Sequence, residues 1–198
     1  MQEGLRTTAD GALLMTGPIE AVIWVREHIT TQPSHHEMER IMKDQNFTTT
    51  FTVEQTPEEV FAAVNNVRGW WSGEIEGSTD KLNDEFTYRY GDLHYSRQKI
   101  TELIPGKKIV WLVLDAYLSF TEDKGEWKGT EIAFEVSEEG DRTAVRFTHL
   151  GLVPEYECFD TCSNAWGFYI NGSLRSLINT GKGYPNQKEK VDGERASL

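Results

Sequence analysis

From Phe47 onward the chain alternates in hydrophobicity. Phe47, Thr49, Phe51 and Val53 interleave with Thr48, Thr50, Thr52 and Glu54, the two-residue period of a half-buried strand. Thr56-Pro57-Glu58-Glu59 then carries a helix start, with Thr56 as cap, Pro57 at the first helical position and Glu59 completing a capping box. Val60, Phe61 and Val64 give that helix its apolar face, and Asn65-Asn66 with Arg68-Gly69 end it. Strand-like runs follow: Phe86 to Tyr90 stops at Gly91-Asp92, and His94 to Ile104 stops at Pro105-Gly106. Ile109 to Leu114 is almost wholly apolar, as expected of a central strand covered on both sides. Ile132, Phe134 and Val136 alternate into a turn at Glu138–Asp141, and Val145, Phe147 and His149 alternate on the return. Turns this short favour antiparallel hairpins over crossovers.

The pattern then changes period. A helix is expected from about Pro154 to Thr180, with Phe159, Cys162, Trp166, Tyr169, Ser173 and Leu177 on one stripe, flanked by Ile170 and Leu174. Gly181 suits its C-cap, and Pro185 lies beyond. A single sheet must cover its apolar face, and this helix is the only element long enough to do so. Before Phe47 the character differs. Ile19 to Ile29 reads as helix or as strand, and Ser34-His35-His36-Glu37 is polar. Met42 is a workable start for the functional domain. The expected organisation is an appendage over residues 1–45, a domain over 46–182 and a charged tail over 183–198.

Charge narrows the partners. With 32 acidic and 20 basic side chains the net charge is −12, which argues against nucleic acid or an anionic membrane, since phosphate binding needs a basic surface. No apolar run is long enough to span a bilayer, and no secretory leader is recognisable, so the expected compartment is cytoplasmic. Cys158 and Cys162 stand four residues apart, poor geometry for a disulfide, and no second cluster completes a metal site; two reduced, partly buried thiols are expected.

Thr56-Pro57-Glu58-Glu59-Val60-Phe61, Trp70-Trp71, Glu102-Leu103-Ile104-Pro105, Thr148-His149-Leu150-Gly151-Leu152 and Trp166 form an ordered set. That set resembles the START-like (SRPBCC) superfamily, and within it proteins similar to the activator of 90-kDa heat-shock protein ATPase. The resemblance covers about Phe47 to Lys182. It implies an α+β helix-grip fold, a curved antiparallel sheet wrapped around a long C-terminal helix over an internal cavity. Members include lipid carriers, aromatic cyclases and co-chaperone domains, so the fold constrains function weakly; the co-chaperone branch would add a role in stress response.

The expected site is therefore the cavity. Trp70, Trp71, Tyr88, Trp111, Phe134, Phe147 and His149, with Trp166, Tyr169 and Ile170 from the helix, are the expected lining. The same residues build a plain filled core equally well. Of the pair Trp70-Trp71, one ring is expected inside and the other near the surface, because adjacent side chains seldom face the same way. His149 shares the inward parity of Val145 and Phe147. It either orients a ligand's polar end, or acts as acid or base, or is a satisfied core histidine tying the strand to the helix; no further catalytic group is evident near it. His35-His36-Glu37 lacks the three or four converging ligands of a zinc site. No phosphate-binding loop, activated nucleophile, catalytic residue or cofactor is expected. The leading expectation is a domain that binds an apolar small molecule. A module binding a chaperone or other protein is the second reading, and a cyclase- or hydrolase-like enzyme, with His149 reaching Tyr88 or Glu102, the third.

Overall fold

The alternating run forms β1 (Phe47–Val53), and the capping box after it forms α1 (Pro57–Asn65). Thr56 Oγ1 accepts the Glu59 N–H at 3.3 Å, and Glu59 Oε2 accepts the Thr56 N–H at 2.9 Å. A single turn, α2 (Val67–Trp70), follows. The computed structural model describes residues 45–186. The appendage, the Ile19–Ile29 segment, His35-His36-Glu37 and residues 187–198 lie outside the described residues.

Six more strands follow: β2 (Glu76–Gly77), β3 (Glu85–Tyr90), β4 (His94–Ile104), β5 (Lys108–Leu118), β6 (Glu131–Glu139) and β7 (Arg142–Leu150). They make one curved antiparallel sheet in the order β1-β7-β6-β5-β4-β3-β2. β1 returns to pair with β7, Phe47 opposite His149 and Val53 opposite Thr143. The last helix, α3, runs over residues 159–180 and lies on the sheet's inner face, where Trp166 meets Phe147 with ring centroids 4.8 Å apart. This is the helix-grip arrangement the resemblance implies.

The structure corrects the apolar run in β5. Residue pairing skips Leu114, because Gln98 faces Val113 whereas Arg97 faces Asp115. That bulge shifts the parity, so Ile109, Trp111 and Val113 are buried on one side of it and Ala116 and Leu118 on the other. Leu112 and Leu114 are only half-buried, so the strand is central in the sheet without being covered on both faces.

α3 differs from expectation twice. It starts at Phe159 rather than Pro154, because the carboxylate of Glu126 in the β5–β6 loop accepts the N–H groups of Glu157 (2.7 Å) and Cys158 (3.0 Å) just ahead of the helix. Its middle, Phe168–Leu174, is a π-helix. The buried stripe is Cys162, Trp166, Ile170, Leu174 and Ile178, with Ser173 beside it. In an α-helix each four-residue step overshoots a full turn by about 40°, so such a stripe would wind off the sheet. The wider π turns absorb that drift. Tyr169 and Leu177 are thereby only half-buried.

The turn at Trp70-Trp71 is also corrected: both rings are inside, 0% and 2% exposed. Trp71 keeps right-handed helical angles after α2, so its side chain departs from Trp70's by a helical step instead of the strand's reversal. Sheet and α3 enclose the turn from opposite sides. The two indoles stack with centroids 6.0 Å apart, and both lie within 6.3 Å of Trp111. Residues 183–186, expected in the tail, are pinned to the same turn. Asn186 N–H donates to Trp71 O at 3.1 Å, and Gly73 N–H donates to Asn186 O at 3.1 Å. Gly183 passes so close that an added Cβ would stand 2.2 Å from Gly69 O.

Candidate functional site

The sheet's inward rows and the α3 stripe close on each other over most of their length. Trp111, Phe134 and Phe147 are fully buried and in ring contact, Trp111–Phe134 at 5.1 Å and Phe134–Phe147 at 5.2 Å. At one end the grip stays open. There the β3–β4 hairpin supplies Tyr88, Tyr90, Leu93 and His94, and the β5–β6 loop supplies Phe120 and Trp127. The first half of α3 supplies Thr161, Cys162, Ala165, Trp166, Phe168 and Tyr169, with Trp71 at the inner end. The opening is a cavity of ≈ 580 Å³, within the usual range for small-molecule sites.

Its walls are flat rings. Tyr88 stacks on Trp71 at 4.2 Å and 11°, and Trp127 lies parallel to Trp166 at 5.7 Å and 13°. His94 stands edge-on to Tyr88 (5.0 Å) and to Trp127 (4.5 Å). Among the described residues no Asp, Glu, Lys or Arg lines the cavity. Burial lowers the His94 imidazole to about 3, so it is neutral at physiological pH. Burial also raises Tyr88 and Tyr169. Cys158 and Cys162 are free and buried; the hydrogen bond that the Cys158 thiol donates to Cys162, followed by burial, pushes that thiol up.

His149 lies behind this wall and is fully buried. Trp166 Nε1–H donates to His149 Nδ1 at 3.0 Å, and Thr130 Oγ1 lies 2.8 Å from His149 Nε2. Thr130 donates its own hydroxyl proton to Trp127 O at 2.6 Å, so it must accept from Nε2–H. The ring is therefore a neutral Nε2–H tautomer with both nitrogens occupied, and desolvation lowers it to about 3. It ties β7 to α3 and to the β5–β6 loop. Neither Tyr88 nor Glu102 is its partner; Glu102 pairs with Lys108 at 2.7 Å on the outer face. The enzyme reading thus loses the base it required.

Of the ten residues expected to line a cavity, the structure brings Trp71, Tyr88, Trp166 and Tyr169 to the opening. Trp70, Trp111, Phe134, Phe147, His149 and Ile170 form the filled core beneath it. Sequence reasoning missed Trp127, Phe120, Leu93 and Phe168. Trp127 stands in a Gly-rich loop with no periodicity to mark it. Phe168 is exposed, and its position depends on the π segment. Among the described residues no group of three or more His, Cys, Asp or Glu converges to hold a metal, and no helix is long and apolar enough to cross a membrane.

No family model and no curated protein matches the chain. Solved structures do. The Aha1 dimer from Colwellia psychrerythraea is similar at 25% identity and a TM-score of 0.57, over 70% of this chain and 98% of that one. DynU16, a putative protein in the dynemicin biosynthetic locus, is similar at 13% identity and a TM-score of 0.52, over 71% of this chain but only 49% of its own length. EF2215, a conserved protein of unknown function from Enterococcus faecalis, follows at 16% identity and a TM-score of 0.51, over 74% of this chain and 77% of that one. The last two likenesses are of fold alone.

Proposed function

Starting from a START-like, helix-grip fold, we propose that this chain binds a small, largely apolar molecule in the open end of the grip. One observation carries the reading: beside a densely filled aromatic core, a ring-lined cavity of ≈ 580 Å³ stays open. Had these rings been only core, close packing would have filled that volume. Native mass spectrometry of the purified protein, followed by a screen of lipids and aromatic compounds, tests it. Ala165 is an exposed helical position on the cavity wall, so Ala165→Trp should block binding without loss of fold. Absence of binding across both libraries, or binding that Ala165→Trp leaves intact, overturns the reading.

A second reading, a protein-binding and chaperone-regulating module, is favoured by the cavity's rim. Leu93 (52% exposed) and Phe168 (57% exposed) stand there with Tyr90 and Phe120, an apolar patch of the kind that marks interaction sites. The likeness to the Colwellia Aha1 dimer points the same way. If it holds, a 90-kDa heat-shock chaperone co-purifies with the wild type and is lost on Phe168→Glu. We also propose residues 46–186 as the working domain. A chain beginning at Met42 should then fold and bind like the full chain.

A further inference from the structure

The two edges of the sheet are finished differently. The β2 edge is blunted in ways that keep a strand from recruiting further chain: it is two residues long, one of them is Glu76, and Gly77 sits at φ 100°. β1 has none of these devices. It is seven residues long, pairs with β7 in unbroken register and holds no proline, charge or bulge. Of the seven strands it alone has no ionisable side chain. In an antiparallel ladder alternate residues turn N–H and C=O away from the neighbour, so an edge strand presents half of its main-chain groups outward. Among the described residues, only β7 and Leu152 just beyond it hydrogen-bond to the β1 main chain. α3 covers the inner side, where Asn171 Nδ2 donates to Thr49 Oγ1 at 3.0 Å and the Arg175 guanidinium stands 5.8 Å over the Phe51 ring. On the outer side Thr48 and Thr50 are exposed and Thr52 is half-buried.

Charge selects what pairs with this edge. Two copies of a chain carrying −12 repel each other over most of their surfaces, whereas β1 brings no like charges together. Antiparallel pairing of β1 with itself about Thr50 is self-complementary, as a two-fold interface requires. Thr50 then meets Thr50 and Thr48 meets Thr52, cross-strand pairs that favour association. On the helix side Thr49 meets Phe51, which sets Arg175 of one copy beside Asn171 of the other rather than beside its own equivalent. We propose that this chain forms a two-fold dimer by antiparallel pairing of β1 with β1 of a second copy, joining two seven-stranded sheets edge to edge. The pairing does not require the cavity to be occupied. Because the sheet order puts the β3–β4 hairpin on the opposite side from β1, both cavities stay open, one toward each end of the joined sheet.

Sedimentation velocity of the full chain from about 1 µM to about 500 µM tests this, a span suited to the weak association of one paired strand. The apparent mass should double across the series. Amide exchange locates the contact: the β1 amides that point away from β7 should slow by about tenfold or more between the dilute and concentrated ends. Thr50→Lys sets two ammonium groups opposite each other and should raise the dissociation constant by about tenfold or more. Because the added lysine reduces the net charge of −12, that loss cannot come from overall repulsion. Thr50→Val, uncharged and a good strand former, should leave the constant within about twofold. Thr50 is exposed on the outer face, so both variants should keep the wild-type urea midpoint at the dilute end, where the chain is monomeric. A chain that stays monomeric throughout overturns the proposal. So does a dimer that Thr50→Lys leaves unweakened, or β1 amide exchange that ignores concentration.

Discussion

Acid should destabilise this domain well above the pH at which its carboxylates protonate. The perturbation is protonation of His149. In the neutral ring Nδ1 accepts from Trp166 and Nε2–H donates to Thr130, so an added proton on Nδ1 would face the Trp166 N–H donor to donor in a fully buried site. The imidazole is accordingly lowered from 6.5 to about 3 in the folded state. Because the folded value lies below the unfolded one, the unfolded chain binds more protons between these limits. The stability is complete above about pH 6.5, declines as pH falls and levels off below about pH 3. At pH 5 the unfolded ring has gained its proton over 1.5 pH units, which costs about 2 kcal/mol of stability. His94 is lowered in the same direction by burial, and its partly covered ring adds a smaller loss. Against a typical total of about 5–15 kcal/mol this is a large fraction. Urea unfolding followed by tryptophan fluorescence at pH 7.5, 6.5, 5.5 and 5.0 should show the midpoint falling by about 1 M overall, taking an m-value of about 2 kcal/mol/M. The His149 Cε1–H resonance should stay at its neutral position throughout. A midpoint constant from pH 7.5 to 5.0, or a His149 signal that titrates in the folded protein above pH 5, would refute the reasoning.

Other perturbations test the supports of the site and the fold. Thr130→Val keeps the shape but leaves His149 Nε2–H without its acceptor, and should cost about 1–3 kcal/mol in urea unfolding; Trp127 O retains the Thr130 N–H, so the β5–β6 loop should hold. Gly183→Ala forces residues 183–186 away from Gly69 O and should cost about 1–3 kcal/mol, with faster amide exchange at Tyr184 and Asn186. Thr56→Ala removes the oxygen that caps α1 and should lower stability by about 1 kcal/mol, read as a urea midpoint shift with an unchanged m-value.

What the chain determined by itself was local and periodic. The alternation of β1, β6 and β7 set which side chains face inward, and the Thr56–Glu59 box and Gly181, at φ 74° in the left-handed region, marked helix ends, because those signals depend only on near neighbours. The ordered motifs also carried the fold class, α+β with a helix across an antiparallel sheet. The rest required residues far apart in sequence to meet. Glu126 stops α3 from starting at Pro154, a choice made by a carboxylate 32 residues upstream of Cys158. Trp70 and Trp71 are both buried because sheet and helix enclose one turn from two sides. Tyr169 faces the cavity, and Ile170 the core, because the π segment rewinds the stripe. Whether a row of aromatic side chains makes a core or a pocket is a matter of volume left between packed elements, and no periodicity encodes that volume. Here the elements close over Trp111, Phe134 and Phe147 and part at Tyr88, Trp127 and Tyr169, so only the tertiary structure could say which rings a ligand would meet.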